Sequence, residues 1–392
     1  MKSESQPRPL RLMIVAGEAS GDAHAAALVS ALRAAAPEIQ FEVFGSTGAQ
    51  MRAAGVDSVV RRDDLAILGL WEIARALPRF WRAFGALKRA AVARKPDAVI
   101  LVDWPDFNLR LADWLHRRAF RVVYYISPQL WAWRPYRARS VRRDVDLLLS
   151  ILPFEKDWYA ARAPRLKVEF VGNPIAERYA RRTSRSTTIG TKSLLLLPGS
   201  RASEIARHLP VMIESLGRIR SAVSDLSVGL VLPNEALASQ ARSLGLPSFV
   251  NIRVGGLEQE LVNADVAIAS TGTVTLECAW FGVPTVAIYK TSFTTYQIAR
   301  RIVTVKYLAM PNLLANEEVF PEYIQEAATA PNIAEAALKL LKDEALRDRV
   351  RQKLAIISGS LGGPGASQRA AQRIYRLLGE PDRDHESHKI PL

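Results

Sequence analysis

The sequence predicts two doubly wound α/β domains facing each other across a cleft. Three observations carry that reading. Short apolar runs rich in β-branched residues alternate with helix-period segments, the pattern of parallel sheets covered on both faces. At 392 residues the chain exceeds one ordinary core, and two domains of roughly 150 to 200 residues accommodate it. Between the halves, RRTSRSTTIGTKS (181–193) has one large apolar residue, Ile189, and reads as a linker.

The first domain, 1–180, shows strand patterns at 10–16, 41–44, 98–102, 121–126, 145–151 and 168–171. Helical stretches such as 22–36 and 108–118 lie between them. The run 65–90, LAILGLWEIARALPRFWRAFGALKRA, has apolar residues at 70, 73, 77, 80, 81, 84 and 87, a helical spacing. Pro78 is expected to restart that helix at its first turn. Its aromatics Trp71, Phe80, Trp81 and Phe84 interleave with Arg75, Arg79, Arg82 and Lys88. Such a helix suits the headgroup region of a membrane, with Trp71, Ile73, Leu77, Phe80 and Trp81 as contacts. A core-packing helix pair with a solvated basic face is the plainer reading. The second domain, 194–355, repeats the alternation with strands at 193–197, 227–232, 249–254, 266–269 and 285–289. Residues 356–380 form a C-terminal helix that could pack back on the first domain, and 381–392 read as a disordered tail.

Composition narrows the function classes. No run approaches the roughly 20 apolar residues of a membrane span, and the N-terminus lacks a secretory core. One cysteine, Cys278, excludes a disulfide framework and fits a reducing cytoplasm. The five histidines are scattered, so no metal site is expected. The net charge of +14 is arginine-rich and clustered. WRPYRARSVRR (133–143) has five arginines and no acid, fit for nucleic acid, a membrane surface or a phosphorylated ligand.

Doubly wound sheets bind ligands beyond the carboxyl ends of their strands. After 98–102, AVILV, comes DWPDFN. Asp103 stands where the chemistry of such a sheet is presented, and the apolar run and Trp104 should raise its pKa toward that of a useful general base. Asp106 and Asn108 have the plainer task of capping the next helix. GEASGD (17–22) offers Glu18 and Asp22 as neighbouring partners; it is not a dinucleotide fingerprint. LLLLPGSRASEI is a strand, a turn and a helix start, where Gly199, Ser200 and Arg201 can hold a phosphate or Ser200 can simply cap the helix. STGTVTLE puts Gly272 and Thr273 at another helix start. Glu277 could hold ribose hydroxyls there or only favour the helix dipole.

Taken together, these motifs resemble the lipid-A-disaccharide synthases, two-domain glycosyltransferases of the GT-B type with Rossmann-like halves. The resemblance runs from about Leu12 to Leu378 through AGEASGD, LGLWEI, DWPDFN, YYISPQLWAWR, LPFEKDWY, FVGNP, LLPGSRASEI, GTVTLE and ARRIVTVKYLAMPNLLANEEVFPEYIQ. STGAQM replaces a usual Gly-Pro-Lys/Arg-Met turn, Asn173 a His, Thr271 a Ser and Asn316 a Gly. The resemblance implies that UDP-2,3-diacylglucosamine donates its sugar to 2,3-diacylglucosamine 1-phosphate. The products are a β-1′,6-linked lipid A disaccharide 1-phosphate and UDP, with inversion and no cofactor. It implies catalysis by Asp103, with Glu18 and Asp22 as possible partners. It further implies UDP-sugar binding by Gly199, Ser200, Arg201, Gly272, Thr273, Glu277, Asn312 and Gln325. The expected setting is the cytoplasmic face of a Gram-negative inner membrane, as a peripheral protein on its anionic surface with no nucleic acid partner. A UDP-GlcNAc 2-epimerase of the same fold and a non-enzymatic lipid-binding protein are the alternatives.

Overall fold

The computed structural model describes residues 8–61, 72–180 and 191–379. Trp71 and most of the linker lie outside the described residues, as do the side chains of Ile73 and Leu77. The chain divides into two compact units. One comprises the described residues up to Glu177 together with those from Gly362 onward; the other runs from Arg178 to Leu361.

In the first unit seven strands form one parallel sheet. They are β1 (Leu10–Ala16), β2 (Phe41–Thr47), β3 (Asp57–Arg61), β4 (Ala98–Val102), β5 (Val122–Tyr125), β6 (Leu147–Ser150) and β7 (Lys167–Phe170). Their order is β3-β2-β1-β4-β5-β6-β7. A strand covered on both faces must be apolar on both sides, and every residue of β4 is buried. Alternate residues feed opposite faces: Leu12, Ile14, Ile100 and Val102 enter one core, and Met13, Val15, Val99 and Leu101 the other. The order reverses between β1 and β4, and Ala16 pairs with Val102, so the loops after these strands leave the sheet side by side.

The helix Ala366–Gly379 closes the first face of this unit, burying Ala370, Ala371, Ile374 and Leu377 there. Tyr375 donates its hydroxyl to the Leu32 carbonyl at 2.7 Å, and Arg369 Nε donates to the Val171 carbonyl at 2.7 Å. This helix begins at Ala366 rather than 356, because the preceding one, Glu344–Ser360, continues through that region.

The second unit holds six parallel strands: β8 (Lys192–Leu197), β9 (Leu226–Leu232), β10 (Val250–Val254), β11 (Val266–Ser270), β12 (Thr285–Tyr289) and β13 (Glu322–Ile324). Their order is β10-β9-β8-β11-β12-β13, which again reverses beside the first strand, between β8 and β11. β8 begins at Lys192, one residue before the strand expected at 193–197 and inside the stretch read as linker.

Two expectations for 65–90 change. The helix Glu72–Arg94 is continuous with Pro78 inside it, so the proline does not restart it. Phe80 faces inward: its ring lies 4.9 Å from Phe107, 6.3 Å from Trp104 and 6.5 Å from Phe84. Phe84, with Phe80, joins this packed cluster against Phe107. Trp81 alone of the described contacts is outward, 48% exposed.

Candidate active site

Asp103 follows β4 directly, and both it and Trp104 adopt left-handed backbone, φ 50° and 49°. Each such non-glycine residue costs on the order of 1–3 kcal/mol and persists only where its surroundings enforce it. Here the Asp103 N–H donates to the Tyr125 carbonyl at 3.1 Å. The Asp103 carbonyl accepts from the Tyr124 hydroxyl at 2.7 Å and Asn108 Nδ2 at 2.8 Å. Trp104 stacks on Phe107 at 4.0 Å and covers Gly17, where a Cβ would fall 2.1 Å from the indole. Glycine at 17 is therefore a steric requirement of the loop pair. Burial, then the nearby Glu18 charge, pushes the Asp103 carboxyl up to about 6, partly offset by a hydrogen bond from the Trp104 backbone.

The neighbouring acids divide into different roles. Glu18 is exposed just before the helix Ala19–Ala35. Asp22 is buried, and its carboxylate accepts from the backbone N–H groups of Gly48, Gln50 and Met51 at 2.7, 2.9 and 3.2 Å. It holds the start of the helix Ala49–Ala53 through these three bonds, a structural task that Glu18 does not share. Asp106 and Asn108 do not cap their helix, Pro105–His116, whose N-cap is Trp104. Asp106 instead pairs with Arg134 and Arg137 at 3.1 and 3.3 Å. Asn108 is fully buried, its amide directed at the carbonyls of Asp103, Val102 and Val15. Because all three neighbours are acceptors, Nδ2 must face them.

In the second unit the loops after β8 and β11 flank the other reversal point. Arg201, not Ser200, is the N-cap of the helix Ala202–Ala222. The carboxylate of Glu204 accepts from the N–H groups of Ser200 and Arg201 at 2.9 and 3.3 Å and from the Arg201 guanidinium at 2.8 Å. Gly199 makes room for it: a Cβ there would lie 2.4 Å from Glu204 Oε2. Buried His208 bridges this loop to the one after β12, with Nδ1 2.7 Å from the Pro198 carbonyl and Nε2 accepting from the Lys290 N–H at 3.0 Å. Nε2 also lies 3.2 Å from the Lys290 carbonyl; burial lowers the pKa and so favours the neutral imidazole with its proton on Nδ1.

Gly272 and exposed Thr273 open the helix Thr273–Trp280. Buried Glu277 accepts through one oxygen from Arg178 at 3.0 Å and the Tyr179 hydroxyl at 2.8 Å. An ionised carboxylate has about four acceptor positions, so capacity remains for other donors. Asn312 has none. Its Nδ2 donates to the Phe320 carbonyl and Glu322 Oε1 at 2.7 and 2.8 Å, and its Oδ1 accepts from Val319 and Phe320 at 2.8 and 2.7 Å. Gln325 is likewise committed to the Thr291 backbone, at 2.7 and 3.3 Å. Both amides brace loops; the Asn312 amide is saturated there, whereas Gln325 keeps one N–H and one lone pair for other partners. Sequence reading passed over Glu204, His208, Arg178 and Tyr179. Only Glu204 left a local signal, as the third residue of a helix after its cap.

Among the described residues, no group of three or more His, Cys, Asp or Glu is placed to hold a metal ion. None of the described helices is long and apolar enough to cross a membrane.

Comparison with known proteins gives a consistent result. The family described as lipid-A-disaccharide synthetase matches residues 12–369. The chain is 39% identical over 382 residues to the lipid-A-disaccharide synthase of Myxococcus xanthus, covering 94% of this chain and 98% of that protein. In fold it is similar to a putative UDP-N-acetylglucosamine 2-epimerase from Listeria monocytogenes, with TM-score 0.64 and 18% identity over 96% of this chain and 98% of that one. It is also similar to the glycotransferase of kitacinnamycin, with TM-score 0.62 and 16% identity over 95% and 100%. The two sheets are those of the two-domain GT-B glycosyltransferase fold.

Proposed function

The chain belongs to the lipid-A-disaccharide synthase family, as a glycosyltransferase of lipid A disaccharide synthesis, and on that footing we propose its substrates, mechanism and setting. UDP-2,3-diacylglucosamine is the donor and 2,3-diacylglucosamine 1-phosphate the acceptor. The acceptor's 6-hydroxyl oxygen bonds to the donor's anomeric carbon on the face opposite the nucleotide. Its proton passes to Asp103, the bond to the diphosphate oxygen breaks, and the electron pair leaves with UDP. The anomeric configuration inverts. The observation that carries this reading is Asp103, held in left-handed backbone at the reversal point of its sheet with a carboxyl raised to about 6. Glu18, which raises that value, orients the acceptor or Asp103 itself.

The nucleotide is assigned to the second unit. The N–H groups of Ser200 and Arg201 and the Arg201 guanidinium already favour an anion, since the Glu204 carboxylate engages all three. Diphosphate takes its place beside Gly199. Gly272 and Thr273 line the pocket, and Glu277, oriented by Arg178 and Tyr179, receives the ribose hydroxyls. The protein is peripheral on the cytoplasmic face of the inner membrane. Exposed Trp81 between Arg79 and Arg82 supports that setting.

The test is UDP release measured with donor alone, acceptor alone and both together. UDP should form only with both lipids. Turnover of UDP-N-acetylglucosamine without an acceptor would instead mark an epimerase.

A further inference from the structure

We propose that Arg134 and Arg137 form the binding site for the phosphomonoester of the acceptor; this rests on the lipid acceptor named above. The arginine run 133–143 has no part in the mechanism so far, and the fold sorts its members. Arg143 is spent on buried Asp144 and on Asp113, both at 2.6 Å. Arg139 and Arg142 stand exposed on the helix Ala138–Asp144. Arg134 and Arg137 differ from all three. The short turn Pro135–Arg137 is closed by the Arg137 N–H donating to the Arg134 carbonyl at 3.0 Å, which brings both side chains to one side. Both guanidiniums converge on a single oxygen of Asp106.

The pair is held in place. Its side chains are only 28% and 29% exposed, against 55% for Arg143. Arg134 lies over the Trp133 ring, 3.9 Å from its centroid. The preceding helical turn, Leu130–Trp133, is fastened by Trp131 Nε1, which donates to buried Glu155 at 3.0 Å. Two cations share one carboxylate, itself 63% exposed, through one N–H group each, so among the described residues a net positive charge and most of their ten N–H donors are left for another anion. A phosphomonoester, with about 1.5 to 2 negative charges, matches that deficit better than one carboxylate does, and arginine binds it in bidentate fashion.

Placement selects the acceptor. Asp106 stands in the first turn of the helix that follows Asp103, and one helical turn advances about 5.4 Å. A hexopyranose carries its C1 substituent and its 6-hydroxyl arm on the two carbons that flank the ring oxygen. With the hydroxyl at Asp103, the C1 phosphate falls within one ring's span, toward the arginine pair. Asp106 keeps the pair assembled until that phosphate arrives.

A phospholipid headgroup offers the same chemistry, so the test has separate arms. In the full chain, Arg134→Gln/Arg137→Gln should raise KM for the phosphorylated acceptor tenfold or more, with little change in KM for the UDP-sugar. The preference for that acceptor over its dephosphorylated form should fall by the same factor, and Arg134→Lys/Arg137→Lys should recover part of it. Glucosamine 1-phosphate should bind the wild-type chain saturably and the Gln variant weakly, a readout that needs no turnover. Binding to phosphatidylglycerol vesicles should persist. Equal losses on both acceptors, an unchanged acceptor KM, or a loss confined to vesicle binding would each overturn the proposal. A wild-type chain that binds glucosamine 1-phosphate but releases no UDP would count against the reaction, not this site.

Discussion

Burial and the Glu18 charge hold Asp103 near pKa 6, so between its ordinary 3.8 and about 6 the folded chain keeps a proton that the unfolded chain has lost. The stability this contributes is present below 3.8 and is lost as pH rises through about 6. Activity should move the other way, with kcat/KM rising through an acid limb near pH 6 as the base ionises. Glu18→Gln removes a charge that raises the pKa and should shift that limb to lower pH. Asp103→Asn should cost about 10²-fold or more in turnover, while its melting temperature at pH 7 stays at or above wild type and UDP binding is unchanged. Retained turnover in that variant would move the base elsewhere. Asn312→Ala should behave in the opposite way. It strands the Val319 and Phe320 N–H groups and Glu322, a stability loss on the order of 3 kcal/mol, with less effect on UDP affinity than Arg201→Ala; a melt matching wild type would contradict this. The contrast shows what sequence could reach. Asp103 was legible because a fully apolar strand ends on it. The bracing role of Asn312 was not legible because its three partner residues lie on and before β13, a strand of three residues with no apolar run to announce it.

Elements were legible where burial on both faces forces continuous apolar runs, as in β4, β8 and β11. β3 was missed because it is a short edge strand, DSVVR, with charged ends. The helix Glu72–Arg94 misled because an amphipathic pattern does not say what its apolar face meets; Trp104 and Phe107, which receive Phe80, belong to a different loop. Asn316, standing where relatives were expected to have Gly, ends the helix Met310–Ala315 in left-handed backbone at φ 52°. Asn is among the few side chains that tolerate that conformation, so the departure conserves the geometry. At the helix Ala202–Ala222 the proposed diphosphate site comes with an internal occupant, Glu204, and a competitor for the same N–H groups would weaken an incoming diphosphate. Glu204→Gln keeps an acceptor for the loop but removes the charge that pairs with Arg201. UDP should bind this variant several-fold more tightly by calorimetric titration. Weaker binding would mean that Glu204 serves only to shape the loop.

At the scale of the molecule, both sheets place their reversal point beside their first strand, and the residues proposed for chemistry leave the strands on either side of it: β1 and β4 in one unit, β8 and β11 in the other. That much follows from alternating strands and helices plus the rule for doubly wound sheets. The course of the last helix does not, since its sequence, ASQRAAQRIYRLLG, says only that one face is apolar. Several of its partners are more than 300 residues away, on helix Ala19–Ala35 and the first sheet: Tyr375 meets Leu32 and, edge-on at 6.0 Å, Phe41. The first unit therefore needs the end of the chain to complete its core, whereas the core of the second unit ends at Ile357. Truncation after Leu361 tests this division. Loss of Ile374 and Leu377 alone forfeits roughly 3–6 kcal/mol of burial, a large part of the about 5–15 kcal/mol that a domain commonly has. The truncated chain should lose hydrogen-exchange protection in β1, β4 and β5 and fail to turn over substrate. UDP should still bind, because Arg201, Glu277 and their supports all lie in the second unit. Unchanged protection of β4 would show that the first unit does not depend on the returning helix. Loss of UDP binding together with that protection would show that the nucleotide site does not stand on the second unit alone.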